Sequence, residues 1–151
     1  MNRLVYADTS FLMSYFIDDA HTEKTRAEVL GISGPIRISP LGHLEFHNSV
    51  WRKVGMDGFE KNHAERAIRQ FDEQIEEGWF EMSGLKKQVV WKRALTLATI
   101  YSTELKVRTL DILHVSEAIE LSATCFWGFD DRQNTLAQRA GLGLMGNIGN
   151  P

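Results

Sequence analysis

Several features that mark other classes of protein are scarce or missing in this chain of 151 residues. Its one cysteine, Cys125, excludes a disulfide framework, and its position inside an apolar run predicts a buried thiol. No apolar run approaches the roughly 20 residues that a membrane-spanning helix needs. The first segment reaches Asp8 before any signal-like apolar stretch develops, so we expect a cytoplasmic protein without a membrane partner.

Two motifs of catalysis and cofactor binding are absent as well. The chain contains neither the G-x-S-x-G of nucleophile-elbow hydrolases nor the G-x-x-x-x-G-K-[ST] phosphate loop. We therefore expect neither Ser-His-Asp hydrolysis nor a nucleotide cofactor. With 43% hydrophobic and 25% charged residues and no repeat or linker, the composition predicts one globular domain over residues 1–146 and a flexible tail at 147–151.

Charge is unevenly distributed along the chain, although the formal net charge is only −3. Residues 57–81 include eight acids and three bases, whereas residues 85–108 include six bases and one acid. The net charge does not favour bulk attraction to nucleic acid, but one acidic and one basic segment can steer a polyanion to one face. Two solvated helix surfaces explain the same pattern equally well.

Short apolar runs alternate with amphipathic segments, which is typical of an α/β fold with a parallel sheet. The predicted strands are residues 4–7, 35–39, 79–82, 124–129 and 142–145. The predicted helices are residues 11–16, 21–30, 41–54, 59–77, 85–104, 109–121 and 132–140.

Two aspartates directly follow predicted strands. Asp8 follows the first strand, and Asp130 ends the stretch CFWGFD that contains the fourth. The carboxyl ends of parallel strands share one edge of a sheet, where ligands bind, so the two side chains should converge. An aspartate at this position is also a common helix N-cap, although Thr9 or Ser10 is available to cap the first helix. Asp131 is then a second candidate for capping the last helix.

Glu45 is a carboxylate beside the predicted inner face of its helix, LGHLEFHNSVW. The 3–4 spacing assigns that face to Leu41, Leu44, Asn48 and Trp51. A buried and unpaired carboxylate costs at least several kcal/mol, so it normally has a cation or hydrogen-bond donors beside it.

Asp111 lies in a helix that is apolar on most sides, RTLDILHVSEAIEL. Thr109 is the better-placed residue to cap this helix, which leaves Asp111 in need of another role. His114 lies one turn further on the same stripe, and it is either a donor to Asp111 or to phosphate, or a satisfied core histidine.

Four like charges at one site repel each other unless they are neutralised. An all-oxygen set without thiolates favours Mg²⁺ or Mn²⁺ over zinc. His43 and His47 lie four residues apart, but Glu45 between them points away and no third zinc ligand is suitably spaced. A divalent ion held by Asp8, Glu45, Asp111 and Asp130 would suit attack of water on a phosphodiester.

These motifs together resemble the PIN-domain family, and within it the VapC-type toxins of toxin–antitoxin pairs. The matching pieces are VYADTSFLMSYF with Asp8, SPLGHLEFHNSV with Glu45, LDILHVSEAI with Asp111 and His114, and FWGFDDRQNTLAQRAGL with Asp130. The resemblance implies a three-layer α/β/α sandwich with a mostly parallel sheet, metal-dependent RNA cleavage, an antitoxin partner and a homodimer. Asp8, Asp111 and Asp130 would then bind metal, and Glu45 would bind it or orient the attacking water.

The chain departs from the family at Gly128, where the family usually has Thr or Ser two positions before its last aspartate. The missing hydroxyl predicts weaker activity unless Thr9, Ser10 or Asp131 supports the metal site instead. An alternative hypothesis is a PIN-like module that binds RNA or protein without cleaving RNA. A receiver-like phosphoacceptor domain is less suitable, because it needs paired acids where the chain has only Asp8.

Two further surfaces follow from the sequence. We expect exposed apolar residues in segment 21–30 and at Val50 and Trp51 to be covered by a second copy or an antitoxin helix. Trp51 and Trp91 lie near basic residues and are the tryptophans to test for stacking on RNA bases.

Overall fold

Five short parallel strands form the central sheet of the computed structural model, which describes residues 3–146. The strands are β1 (Val5–Ala7), β2 (Ile36–Ile38), β3 (Phe80–Met82), β4 (Cys125–Trp127) and β5 (Gly143–Leu144). Their order across the sheet is β3-β2-β1-β4-β5, and every pair of neighbours is parallel.

Helices connect all successive strands, as parallel pairing requires. Two helices precede each of β2, β3 and β4, and one precedes β5. They are α1 (Thr9–Phe16), α2 (Thr22–Leu30), α3 (Pro40–Lys53), α4 (Lys61–Glu76), α5 (Lys87–Leu105), α6 (Thr109–Glu120) and α7 (Asp131–Arg139). The predicted order of strands and helices is therefore confirmed.

The two faces of the sheet bury separate apolar clusters, because successive strand residues point to opposite sides. Val5, Ala7 and Trp127 pack with apolar residues of α1 to α4. Tyr6 and Phe126 pack with residues of α5, α6 and α7 on the other side. The expected three-layer α/β/α sandwich is thus present.

The central strand β1 lies between β2 and β4, and the chain leaves it in opposite directions across the sheet. Asp8 follows β1 and donates its backbone N–H to the Trp127 carbonyl of β4 at 3.0 Å. The carboxyl ends of β1 and β4 therefore meet at the point where strand order reverses, which is where open α/β sheets bind ligands.

The predicted inner face of α3 is wrong. Leu44 is 66% exposed, and Asn48 and Trp51 are also exposed, whereas Gly42, Phe46 and Val50 are buried. Residues at 3–4 spacing fit two adjoining stripes of this helix, and the stripe of Phe46 is the buried one. Phe46 packs against aromatic rings of α1 and α4 with ring centroids 5.5 and 4.7 Å away. Val50 is consequently buried and cannot contribute to a binding surface.

The predictions of helix caps are only partly correct. Asp8 caps α1 and Asp130 caps α7, as is common for an aspartate that follows a strand, whereas Thr9, Ser10 and Asp131 do not hold these positions. Arg108 holds the N-cap position of α6, where no side chain accepts a capping hydrogen bond, and Thr109 is the first residue of that helix. Carboxylates compete well for capping positions because they accept strongly from backbone N–H groups.

Three further predictions concern Cys125, a membrane span and the tail, and the structure also bears on one glycine motif. Cys125 is buried, as predicted. Within the described residues, no helix combines the length and apolar character needed to cross a membrane. The stretch GLGLMG at 141–146 fits the pattern G-x-G-x-x-G, but it follows α7 and contains β5, so it does not lead from a strand into a helix as dinucleotide binding requires. The predicted tail at 147–151 lies outside the described residues.

Candidate active site

Asp8 is a buried carboxylate at the carboxyl end of the central strand, with 4% of its surface exposed. Its Oδ1 atom accepts hydrogen bonds from the Ser10 hydroxyl at 2.7 Å and from the Phe11 backbone N–H at 3.0 Å. Burial raises the pKa of the Asp8 carboxyl, and nearby His114 and the two hydrogen bonds oppose this shift without cancelling it. Asp8 has no ion pair within residues 3–146, so its charge is only partly compensated.

Gly128 provides the space that the Asp8 side chain occupies. A Cβ atom at position 128 would lie 2.7 Å from both Cγ and Oδ1 of Asp8, which is closer than real Cβ contacts allow. Ser10 supplies a hydroxyl beside the same carboxylate, and Ser10 Oγ also accepts a hydrogen bond from the Phe129 backbone N–H at 2.9 Å. Ser10 therefore joins the end of β1 to the segment that follows β4.

Glu45 is held by two side chains, although 26% of its own side chain remains exposed. Its Oε1 atom is hydrogen-bonded to His114 Nε2 and accepts a hydrogen bond from the Thr9 hydroxyl at 3.0 Å. Burial alone would raise the pKa of Glu45, but these bonds and the charges of His114 and Arg108 hold it below its usual value. His114 thus contacts Glu45, and the predicted hydrogen bond from His114 to Asp111 is absent from the described residues.

Asp111 lies in the first turn of α6 and is paired with Arg108. Arg108 Nε donates to Asp111 Oδ2 at 3.0 Å. The Arg108 side chain is 76% exposed, whereas that of Asp111 is 13% exposed. This hydrogen bond raises the pKa of Arg108, and the charges of Asp111, Asp130 and Glu45 raise it further. One guanidinium therefore interacts electrostatically with three of the four proposed site carboxylates.

Asp130 is the N-cap residue of α7 and is half-buried. Its Oδ1 atom accepts the backbone N–H of Gln133 at 2.9 Å. The adjacent Asp131 is exposed, and its backbone carbonyl accepts a hydrogen bond from Thr135. The two aspartates line one cavity of about 500 Å³ with four other residues: Arg108, Asp111, Phe129 and Arg132.

The four carboxylates share one arrangement. In each, a single oxygen accepts all the hydrogen bonds that the described residues supply: Oδ1 of Asp8, Oε1 of Glu45, Oδ2 of Asp111 and Oδ1 of Asp130. The second oxygen of each has no hydrogen-bond donor in that part of the chain. Each side chain is thus oriented by the protein and keeps one acceptor for a ligand.

The four carboxylates have suitable chemistry for a metal ion, but they lie too far apart to bind one in their present positions. The available atoms are all carboxylate oxygens, which Mg²⁺ and Mn²⁺ prefer. Asp8 is a buried charge without a paired cation, which a bound ion would supply. Within residues 3–146, however, no three acidic, histidine or cysteine side chains lie close enough to hold an ion in their present positions. Binding therefore requires these side chains to move closer together.

The other histidines of α3 do not form a metal site with Glu45. His47 is exposed, and half-buried His43 lies 3.9 Å from Asp72 of α4. Tyr6, Ser39 and Arg108 contact the candidate site and were not identified from the sequence. A tyrosine two positions before Asp8 in a buried strand, and an arginine one helical turn before Asp111, are the signals that could have identified two of them.

Comparisons with known proteins agree with this fold. The model of the PIN-domain family matches residues 5–139. No curated protein matches the sequence. Among solved structures, VapC20 of Mycobacterium tuberculosis, described as a sarcin-ricin loop cleaving toxin, has a TM-score of 0.66 at 13% identity, over 87% of this chain and 93% of that one. FitAcB from Neisseria gonorrhoeae has a TM-score of 0.60 at 11% identity, over 94% and 96% of the two chains. The structural similarity and the family match together show that this chain belongs to the PIN-domain family.

Proposed function

We propose that this protein is a Mg²⁺- or Mn²⁺-dependent endoribonuclease that hydrolyses RNA phosphodiester bonds. The observation that carries the proposal is the set of four oriented carboxylates around the carboxyl ends of β1 and β4, each with one oxygen left for a ligand. Membership in a family of nucleases supports it further.

In this proposal Asp8, Asp111 and Asp130 hold the cation, and Glu45 holds it or orients the attacking water. When bound, the cation supplies an acidified water and neutralises charge on the phosphate. His114 and Thr9 keep Glu45 ionised and in place, so that it can accept a proton or a hydrogen bond from water. Ser10 fixes the Asp8 carboxylate and takes the place of the hydroxyl that Gly128 lacks.

Arg108 and Arg132 supply positive charge at the cavity that Asp111 and Asp130 also line. RNA phosphates would otherwise be repelled by the carboxylates, so cations beside them are needed to bring a phosphate close. Arg108 uses Nε for Asp111, and its two terminal nitrogens have no hydrogen bond within the described residues. These two nitrogens form the edge of a guanidinium that pairs with phosphate oxygens.

We further propose that the protein is the toxin of a VapBC-type toxin–antitoxin pair, with the antitoxin as its partner. The fold similarity to a VapC toxin supports this assignment. A cavity of about 360 Å³ between α2 and α4 is lined by both apolar and charged side chains, among them Ile17, Phe59, Arg26 and Arg66. Leu30, at the end of α2, is 83% exposed. Such a surface suits an amphipathic helix of a partner.

A homodimer in the cytoplasm completes the proposal. The exposed apolar residues are more widely distributed than the sequence predicted, since α5 presents Trp91, Leu95 and Ile100 at 47%, 69% and 60% exposure. Leu44 of α3 is 66% exposed as well. Light scattering of the purified protein would show whether it forms a dimer. A strictly monomeric protein that also does not bind the product of a neighbouring small reading frame would contradict both the homodimer and the complex with an antitoxin.

The decisive experiment measures cleavage of a mixed-sequence RNA with Mg²⁺, with Mn²⁺ and with EDTA. We expect cleavage with either ion, none with EDTA and none by Asp8→Asn. Asp72→Asn is a suitable control, because Asp72 is an exposed acid of α4 that does not line the cavity of the site. Cleavage that persists in EDTA and in Asp8→Asn would exclude this proposal.

A PIN-like module that binds RNA or protein without cleavage remains the second candidate. The observation in its favour is that Arg108 already neutralises Asp111, while no three candidate ligands lie within reach of one ion in the described residues. RNA retention in EDTA together with no cleavage in Mg²⁺ or Mn²⁺ would support this candidate.

A further inference from the structure

A buried chain of hydrogen bonds leads from Ser39 to the Glu45 carboxylate. The Tyr6 hydroxyl lies 2.8 Å from Ser39 Oγ and 2.7 Å from His114 Nδ1, and His114 Nε2 is bonded to Glu45 Oε1. Tyr6 is fully buried and His114 is 3% exposed, so water does not compete for these contacts. Polar groups buried in this way need every donor and acceptor paired.

The Tyr6 hydroxyl lies between Ser39 and His114 and contacts both. The imidazole ring of His114 is in turn held at both nitrogens, since Nδ1 faces the Tyr6 hydroxyl and Nε2 faces the Glu45 oxygen. Any rotation of this ring would therefore break its contact with Glu45.

Ser39 forms the buried end of this chain. Its Oγ accepts hydrogen bonds from the Gly42 backbone N–H at 3.0 Å and from the Tyr6 hydroxyl at 2.8 Å. A second partner of this kind commonly fixes the orientation of a histidine ring at a functional site.

We propose that Tyr6 is a positioning residue for Glu45, acting through the hydrogen bond that holds the His114 ring against the Glu45 carboxylate. This proposal rests on the proposed function, in which Glu45 binds the ion or orients water. Tyr6 lies two residues before Asp8 on β1, so one strand fixes two of the four carboxylates: Asp8 through the backbone and Glu45 through Tyr6 and His114.

The surroundings of Tyr6 hold it firmly enough for this role. Its ring stacks on Phe126 of the neighbouring strand, with centroids 5.7 Å apart and planes 20° from parallel. Thr9 donates to the same Glu45 oxygen as His114, so both donors leave Oε2 to the ligand side.

The test combines nitrogen NMR of the metal-free full-length protein with steady-state kinetics. The His114 ring nitrogens are assigned by the signals that disappear in His114→Gln. Tyr6→Phe removes only the hydroxyl, so the His114 signals should shift, kcat should fall roughly tenfold and KM should stay unchanged. Tyr15→Phe is the matched control, since the half-buried Tyr15 hydroxyl takes no part in this chain.

A wild-type protein without a nuclear Overhauser contact between the Tyr6 and His114 rings would overturn the proposal without any variant, so misfolding of Tyr6→Phe would not prevent a decision. Identical His114 spectra and kcat values in Tyr6→Phe and Tyr15→Phe would also overturn it. Failure of the proposed function gives a different result: no cleavage by the wild type, with the His114 signals still measurable in both proteins.

Discussion

Gly128 and Asp8 are in such close contact that position 128 has no room for a Cβ atom, which would lie 2.7 Å from the Asp8 Cγ. Gly128→Ala should therefore displace the carboxylate, abolish metal-dependent cleavage and lower the free energy of unfolding by about 1–3 kcal/mol. Chemical denaturation measures the loss. Gly84→Ala is the matched control, because a Cβ there meets nothing within 4 Å.

The cost of Gly128→Ala should depend on Asp8, and a double-mutant cycle with Asp8→Ala tests this dependence. Once the carboxylate is absent, the added methyl group has space, so the double variant should be little less stable than Asp8→Ala alone. Equal losses in both backgrounds would show that the strain lies in the backbone.

Ser10→Ala should weaken the connection between β1 and the segment after β4, because Ser10 donates to Asp8 and accepts from Phe129. Loss of a buried hydrogen-bonding partner costs about 1–3 kcal/mol of unfolding free energy. The pKa of Asp8 should rise further, since the Ser10 hydrogen bond lowers it. Carbon NMR of the Asp8 carboxyl measures the pKa, and a Ser10→Ala protein with an unchanged value would contradict the expected role.

Asp8→Asn should make the metal-free protein more stable at neutral pH. The pKa of folded Asp8 is raised by burial, so protonated Asp8 contributes stability that is fully present below the unfolded-state pKa and is lost as the pH rises through the folded-state pKa. Asparagine does not ionise and escapes that loss. Each unit of difference between the folded-state and unfolded-state pKa of Asp8 corresponds to about 1.4 kcal/mol of unfolding free energy. Each kcal/mol in turn shifts Tm by roughly 2–4 °C.

Thermal unfolding in EDTA from pH 3 to pH 8 measures this effect. The advantage of Asp8→Asn should shrink towards acid pH, where Asp8 is protonated, and Mn²⁺ should stabilise only the wild type. An advantage that is constant over the whole pH range would point to a cause other than the Asp8 charge.

Arg108→Ala should tighten Mn²⁺ binding, because Arg108 is paired with Asp111 and must release it when a cation binds. We expect a change on the order of twofold to fivefold, since the pair is open to solvent. Titration calorimetry measures the affinity without requiring RNA cleavage. Arg132→Ala removes the same charge from the same cavity without breaking an ion pair, so equal effects of the two variants would exclude a specific competition.

The ion pair between Glu104 and Arg139 joins α5 to α7 at 2.6 Å. It lowers the pKa of Glu104, so the associated stability is present above the unfolded-state pKa and is lost as the pH falls through the folded-state value. Glu104→Gln should therefore lower Tm slightly at pH 7 and not at pH 3. A double-mutant cycle with Arg139→Gln checks the pairing, and high salt should reduce it.

The features that the sequence predicts well are those that depend on a few neighbouring residues. Apolar runs followed by Asp8 and Asp130 indicate strand ends, and the geometry of parallel sheets then brings those ends to one edge. Glu45 was identified although the buried stripe of α3 was not, because Glu45 adjoins both candidate stripes. Which stripe is buried depends on aromatic partners in α1 and α4, and these are distant in sequence.

The contacts that orient the carboxylates could not be predicted in this way. Tyr6 and His114 are 108 positions apart, and Ser10 and Phe129 are 119 positions apart. No local sequence pattern indicates that these residues are in contact, because the contacts form only when the three layers pack together. Arg108 and Asp111 are close in sequence, but an arginine at this distance is equally compatible with a solvent-facing side chain.

The central position of β1 has a consequence for synthesis of the protein. Asp8 and Glu45 are translated before β4, so β1 lacks its neighbour β4 and the carboxylate of Asp130 until about 85 further residues have followed Glu45. At about 5–20 residues per second, this interval lasts roughly 4–17 s. The site therefore cannot assemble before β4 and Asp130 have been synthesised, and any nuclease activity must begin after that point.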